Sequence, residues 1–197
     1  MTAKPNFIGI GGHKCASTWL SECLRVHPEV FLSDPKEVGY FKFHYSKGLD
    51  WYIEHFSNVK NEKVIGEFAS YYIYDNECAH RIKQDLGVVK TIAVIREPVG
   101  RALSQIKHGI RLGKLPSPQS SKVTIDYLQK CIEIYPYIVE RSMYAEGLKR
   151  FEEEFGKSNL LVFDQKDFLT SPEVCVSTVY EYLGVDKKFT PYNLKKV

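Results

Sequence analysis

Between Phe7 and Leu20 the chain reads Phe7-Ile8-Gly9-Ile10-Gly11-Gly12-His13-Lys14-Cys15-Ala16-Ser17-Thr18-Trp19-Leu20: an apolar run, a glycine turn, a lysine, two hydroxyls and then a helical pattern. That order suits the binding of a phosphate. Glycines at 11 and 12 permit a sharp turn and a close approach of backbone to ligand. The amides opening the next helix point along the favourable end of its dipole, and Lys14 adds a movable cation. Gly12, His13, Lys14, Cys15, Ala16, Ser17, Thr18 and Trp19 are therefore candidate nucleotide-binding residues. The order is not that of the nucleoside triphosphatase loop, in which lysine directly follows glycine and a hydroxyl directly follows lysine. Here His13 separates Gly12 from Lys14, and Cys15 and Ala16 precede the first hydroxyl.

A second segment offers a partner for the same ligand. Lys90 to Ile95 is a buried-type strand pattern, with Arg96 at its carboxyl end, Pro98 at a first helical position and Ser104 two turns into that helix. Open α/β sheets bind ligands at the carboxyl ends of their strands. Arg96 supplies a planar fork suited to a phosphate, and Ser104 supplies a hydroxyl donor to the same group. The plain alternative is an arginine closing a strand before an ordinary surface helix.

The two segments resemble those of sulfotransferases that use 3′-phosphoadenosine-5′-phosphosulfate (PAPS). Gly12-x-Lys14-x-x-Ser17-Thr18 is similar to their 5′-phosphosulfate loop, and Arg96-x-Pro98-x-x-Arg101-x-x-Ser104 to their 3′-phosphate motif, with every fixed position present. Lys36-Glu37-x-x-Tyr40-Phe41 resembles the segment of heparan sulfate 3-O- and N-sulfotransferases, and of bacterial relatives, whose glutamate is the general base. The resemblance implies Glu37 as base, with Lys36 beside it to stabilise charge or touch the donor. His44 and His55 are fallback bases, because other sulfotransferases use a histidine. Gly66-Glu67-Phe68-Ala69-Ser70-Tyr71 resembles an acceptor-cleft segment, which implies acceptor contacts for Glu67, Ser70 and Tyr71. Phe68 stands where that segment carries a lysine.

The resemblance further implies a three-layer α/β/α fold with a central parallel sheet, PAPS as donor, PAP as product and no metal. Lys14 would neutralise charge on the leaving phosphate, while Arg96 and Ser104 would hold the 3′-phosphate. The acceptor is a hydroxyl or amine of a carbohydrate, a lipid or a small natural product. Cys15 reads as a small filler beside the nucleotide. An atypical kinase, or a nucleotide-binding module without catalysis, are the competing readings.

The elements that must position these residues follow from periodicity. Strands are expected at 7–11, 29–32, 63–67, 88–95 and 159–163, and helices at 17–26, 50–57, 75–86, 98–111, 124–132, 141–155 and 172–183. Residues 39–49 read as an irregular aromatic segment, and 112–123 as a flap or acceptor insert. Alternation of strand and helix implies a parallel sheet covered on both faces. The 197 residues suit one domain over 1–197. A formal charge of +3 without a basic run excludes a nucleic-acid reading. No run of some 18 apolar residues suggests a membrane span. Five cysteines without metal-type spacing, and no signal-peptide pattern, lead to the expectation of a reducing, cytoplasmic location. The family's basic donor-covering loop is expected to be missing or abbreviated, since the sequence stops at Lys195-Lys196-Val197.

Overall fold

A computed structural model describes residues 3–118 and 123–194. In chain order the elements are β1 (Phe7–Gly11), α1 (Ser17–Arg25), β2 (Val30–Leu32), α2 (Leu49–Glu54), β3 (Val64–Phe68), α3 (Cys78–Leu86), β4 (Lys90–Ile95) and α4 (Pro98–Arg111). They continue with α5 (Ile125–Ile134), α6 (Tyr137–Glu140), α7 (Ala145–Phe155), β5 (Leu160–Asp164), α8 (Gln165–Thr170) and α9 (Pro172–Leu183). All strand pairings are parallel, in the order β2-β3-β1-β4-β5. This is the expected three-layer α/β architecture.

The alternation of side chains along β1 feeds two cores. Phe7 points into a cluster with Trp19, Leu20, Phe168, Val176 and Tyr180, which joins α1, α8 and α9 to one face of the sheet. Ile8 and Ile10 point into the other, with Tyr40, Tyr52, Tyr72, Ile82 and Phe151, which joins α2, α3 and α7 to the opposite face. Phe68 belongs to the first cluster. Its ring lies over Gly9, where a Cβ would come within 2.1 Å of it. Residue 68 is therefore core, and nothing at this position reaches an acceptor.

Three stretches depart from the sequence-based expectation. Residues Tyr40–His44 form a π-helical turn and Tyr45–Lys47 a 3-10 turn, because the aromatic residues are held by packing: the Tyr40 ring stacks on Tyr52 at 4.8 Å. The helix expected over 141–155 starts only at Ala145, as α7, and the short α6 before it was not expected; the buried Arg101 guanidinium engages Ser142 Oγ and the Ile138 carbonyl there, holding the turn between the two helices. Finally, α8 is capped by Asp164, whose carboxylate accepts from the Lys166 amide at 2.9 Å. In the expected flap, Leu115 is buried against Gly109 and Tyr127 Oη donates to the Pro116 carbonyl at 2.8 Å. Residues 119–122 of that stretch and Lys195-Lys196-Val197 lie outside the described residues.

The Gly9–Phe68 contact gives a direct test of this packing. Gly9→Ala is expected to destabilise the fold by about 1–3 kcal/mol through overpacking, read as a lower urea midpoint with an unchanged m-value.

Candidate active site

Each of the five strands releases one part of a common cleft from its carboxyl end. Across the sheet these are Glu37 after β2, Ser70 after β3, His13 to Thr18 after β1, Arg96 after β4 and Gln165 after β5. They enclose a cleft of about 460 Å³, completed by Ser104 and His108 from α4.

The loop after β1 is held by its neighbours. The Gly12 amide donates to the Val94 carbonyl at 2.6 Å and the His13 amide to Tyr74 Oη at 3.2 Å. A Cβ on residue 12 would lie 2.8 Å from that hydroxyl, so this approach needs glycine. Lys14 and Ala16 adopt left-handed backbone, with φ of 67° and 68°. Such conformations persist in non-glycine residues only where the surroundings fix them. Cys15 Sγ does part of that fixing, donating to the His13 carbonyl at 3.5 Å and sharing a 3.6 Å contact with Tyr144 Oη.

The two helix N-termini beside the cleft are finished differently. At α4 the Glu97 carboxylate accepts from the Val99 and Gly100 amides at 2.8 and 2.7 Å. At α1 the capping residue is Ala16, with no side-chain cap and no acidic residue in the first turn. The first α1 amides, before the Leu20 N–H turns to the Ala16 carbonyl at 3.2 Å, therefore have nothing of the described chain to accept from them.

The charges match. Among the described residues neither Lys14 nor Arg96 has a carboxylate within ion-pair distance. Burial, then Arg111 and Arg96, lower the proton affinity of Lys14. Lys36 Nζ donates to Thr18 Oγ1 at 2.9 Å and lies 3.9 Å from Glu37 Oε1, so it ties the α1 hydroxyl to the carboxylate across the cleft. Glu37 itself has φ of 64°, and its Oε1 accepts from the Ser70 amide at 3.4 Å.

Several sequence-based assignments move. Trp19 is buried against Phe168 at 5.0 Å and does not line the cleft. Arg101 of the 3′-phosphate motif is wholly buried, so it is not among the cleft cations. Glu67 is also wholly buried, accepting from Tyr52 Oη at 3.0 Å and Tyr72 Oη at 2.8 Å, and contacts no acceptor cleft. Tyr71 lines a separate cavity of about 320 Å³. His44 and His55 flank Trp51 at 5.3 and 4.6 Å, away from the cleft. His13 does line it, and burial followed by the Arg141 charge lowers its pKa to about 4, so its ring is neutral. Burial pushes the Cys15 thiol up to about 11.

Two cleft residues escaped the sequence reading. Arg111 Nη2 lies 2.9 Å from His108 Nδ1; a guanidinium only donates, so Nδ1 accepts and the proton of the neutral ring sits on Nε2. Burial, then Lys14, Arg111 and Lys114, disfavour the charged ring. The available signal was helical spacing, since Ser104, His108 and Arg111 follow i, i+4, i+7 on α4. Gln165 had only its place directly after β5 as a signal. Among the described residues no group of three or more His, Cys, Asp or Glu is placed to hold a metal ion.

Residues 4–196 match the family model for the sulfotransferase domain. The membrane-associated sulfotransferase kil1 of Dictyostelium discoideum is 32% identical over 154 residues, covering 76% of this chain and 33% of that protein. Human heparan sulfate glucosamine 3-O-sulfotransferase 5 is 26% identical over 195 residues, covering 96% of this chain and 56% of that protein. A solved sulfotransferase from Alicyclobacillus acidocaldarius shares the fold at a TM-score of 0.80 and 24% identity, over 96% of this chain and 84% of that one. Mouse sulfotransferase SULT7A1, solved with PAP, does so at 0.62 and 16%, over 100% and 64%. The chain spans 33% and 56% of the length of the two curated relatives named.

Two buried groups give measurable expectations. Burial raises Glu67 from 4.5 to about 7, so folding binds a proton there between those values. Its contribution to stability is complete below about 4.5 and is lost as pH rises through about 7. Denaturant midpoints of Glu67→Gln are expected to show a weaker decline across that window than the wild type. All five cysteines are free and buried, so the native protein should react with a thiol reagent at pH 8 only after denaturant is added; prompt labelling of Cys15 would contradict this arrangement.

Proposed function

The chain belongs to the sulfotransferase domain family, and from that membership we propose that its cleft transfers a sulfuryl group from PAPS to a hydroxyl or amine of an acceptor. One observation carries the reading: Lys14 and Arg96, neither with a carboxylate at ion-pair distance among the described residues, the uncapped first amides of α1, Ser104 and the Glu37 carboxylate line a single cleft. A doubly anionic nucleotide fits that set. The shared fold of a sulfotransferase solved with PAP supports the same donor.

PAPS supplies a sulfuryl group on a bridging oxygen of its 5′-phosphate. In this proposal the α1 amides with Ser17 and Thr18 hold the 5′-phosphate, and Arg96 and Ser104 hold the 3′-phosphate. Glu37 takes the acceptor proton as the acceptor atom bonds to sulfur and the bridging S–O bond breaks. Lys14 balances the charge that develops on the departing phosphate oxygen. Lys36 fixes the distance between base and donor site through its contacts with Glu37 and Thr18.

For the acceptor we favour a carbohydrate. The second cavity presents the Phe43, Tyr71 and Tyr137 rings together with Arg141, Arg150 and Glu146. Ring faces suit sugar faces, and mixed charged groups suit hydroxyls and ionic substituents. Tyr71 of its wall is next in sequence to Ser70, whose amide donates to the carboxylate of the proposed base. The heparan sulfate relative supports this class. The five buried free thiols support a reducing compartment, in line with a cytoplasmic location.

Calorimetric titration of PAP into the wild type and Arg96→Ala, with Mg–ATP as competitor, tests the donor site. Micromolar PAP binding is expected in the wild type, weakened about 10- to 100-fold in the variant through loss of charge-assisted hydrogen bonds. Binding of ATP in place of PAP would overturn the reading. Glu37→Gln is expected to retain PAP affinity while transfer to a sugar panel falls about 10²-fold or more.

A further inference from the structure

One buried carboxylate has no part in the mechanism above. Glu67, at the end of β3, meets solvent nowhere, and its Oε1 receives the hydroxyls of Tyr52 and Tyr72. Oε2 makes no well-formed hydrogen bond, but the carboxylate lies beside the backbone N–H groups of Gly39 and Val38. Both hydroxyls bond to Oε1, which leaves Oε2 as a buried acceptor with only those backbone N–H groups near it. A glutamine or an apolar residue of the same size would fill the space without burying an ionisable group.

What those donors belong to is the segment that carries the base. Val38 and Gly39 directly follow Glu37, and both Glu37 and Gly39 have left-handed backbone, with φ of 64° and 74°. For Glu37, a residue with a Cβ, this conformation is strained and needs support from outside the segment. The support converges on the same tyrosines. Tyr40 stacks on Tyr52, Phe41 packs edge-on to Tyr52 at 5.0 Å and Tyr72 at 5.7 Å, and a Cβ on Gly39 would lie 2.6 Å from Tyr71 Oη.

We propose that Glu67 is the positioning residue of the base: it gathers Tyr52, Tyr72 and the Val38–Gly39 backbone into one hub and thereby aims the Glu37 carboxylate into the cleft. The proposal rests on the sulfuryl-transfer reading. It places Glu67 behind the site, acting through Glu37 and touching neither donor nor acceptor.

The test uses Glu67→Gln, which keeps the shape but turns an NH2 toward backbone donors. Turnover is read as PAP released from PAPS, with whichever sugar the wild type accepts or with water if none serves. The expected result is PAP affinity within about twofold of wild type, because the donor cradle is untouched, with kcat lower by about tenfold or more from a misplaced base and the donor KM unchanged. A structure of the variant with PAP should show Glu37 out of reach of the Ser70 amide. PAP binding with wild-type kcat would overturn the role of Glu67 alone. Failure of the wild type to bind PAP would overturn the transfer reading and this role together. Should Glu67→Gln not fold, the Tyr52→Phe/Tyr72→Phe double variant, which keeps the carboxylate but removes two of its donors, is expected to lower kcat at constant PAP affinity. An unchanged kcat there overturns the proposal equally.

Discussion

Positive charge gathered, among the described residues, with no carboxylate at ion-pair distance from Lys14 or Arg96 is the constraint on which the site depends. Lys14, Arg96, Arg111 and Lys114 crowd one edge of the sheet, and burial, followed by the repulsion of neighbouring cations, already lowers the proton affinity of Lys14 and His108. Folding must hold these like charges together against repulsion in a partly desolvated cleft. Rigid strand ends can do this where a flexible loop would relax and spread the charge. The central place of β1, paired to β3 on one side and β4 on the other, sets the lysine loop between the glutamate side and the arginine side of the cleft. An incoming anion offsets the stored repulsion, which is why this geometry favours an anionic ligand over a neutral one.

The fold keeps two similar features from competing for that anion. Both α1 and α4 begin at the cleft edge, yet Glu97 closes the α4 amides and leaves those of α1 open. The two arginines of the second motif divide in the same way. Arg96 faces the cleft, whereas Arg101, in the first turn of α4, turns inward and holds α6 through the Ile138 carbonyl and the following turn through Ser142. One motif thus supplies a ligand contact and an internal brace.

Most of the fold was legible in the sequence because strand burial and helical periodicity agree with each other along the chain. Pro98 and Pro172 begin α4 and α9 where proline is tolerated, and both helices end where their apolar spacing ends. The loop residues His13 to Thr18 and the pair Arg96 and Ser104 were legible from spacing, since backbone geometry at a strand end leaves few ways to present them. What failed was the distinction between polar residues that face a ligand and polar residues that face the core. Glu67, Trp19 and Arg101 occupy motif positions but are buried, and no one-dimensional pattern records that Tyr52 and Tyr72 close over Glu67. His108 was missed for the converse reason: it belongs to no motif, and its place in the cleft depends on which face of α4 turns inward.

Phe68 shows how a single substitution redistributes recognition. A lysine at this position would need to leave the sheet to reach an anionic acceptor, and the space over Gly9 would then be empty. The phenylalanine fills that space and contributes to the core with Phe7, so the strand gains packing and loses a cation. Under the proposed function, charge recognition must then come from elsewhere. Arg141 and Arg150 border the second cavity, Arg141 within the segment braced by Arg101 and Arg150 on α7, with its guanidinium donating to the Ile73 carbonyl at 3.4 Å. The acceptor side is therefore built on elements that the donor motif itself anchors, and a change in the packing of Arg101 reaches both halves of the reaction through one buried guanidinium.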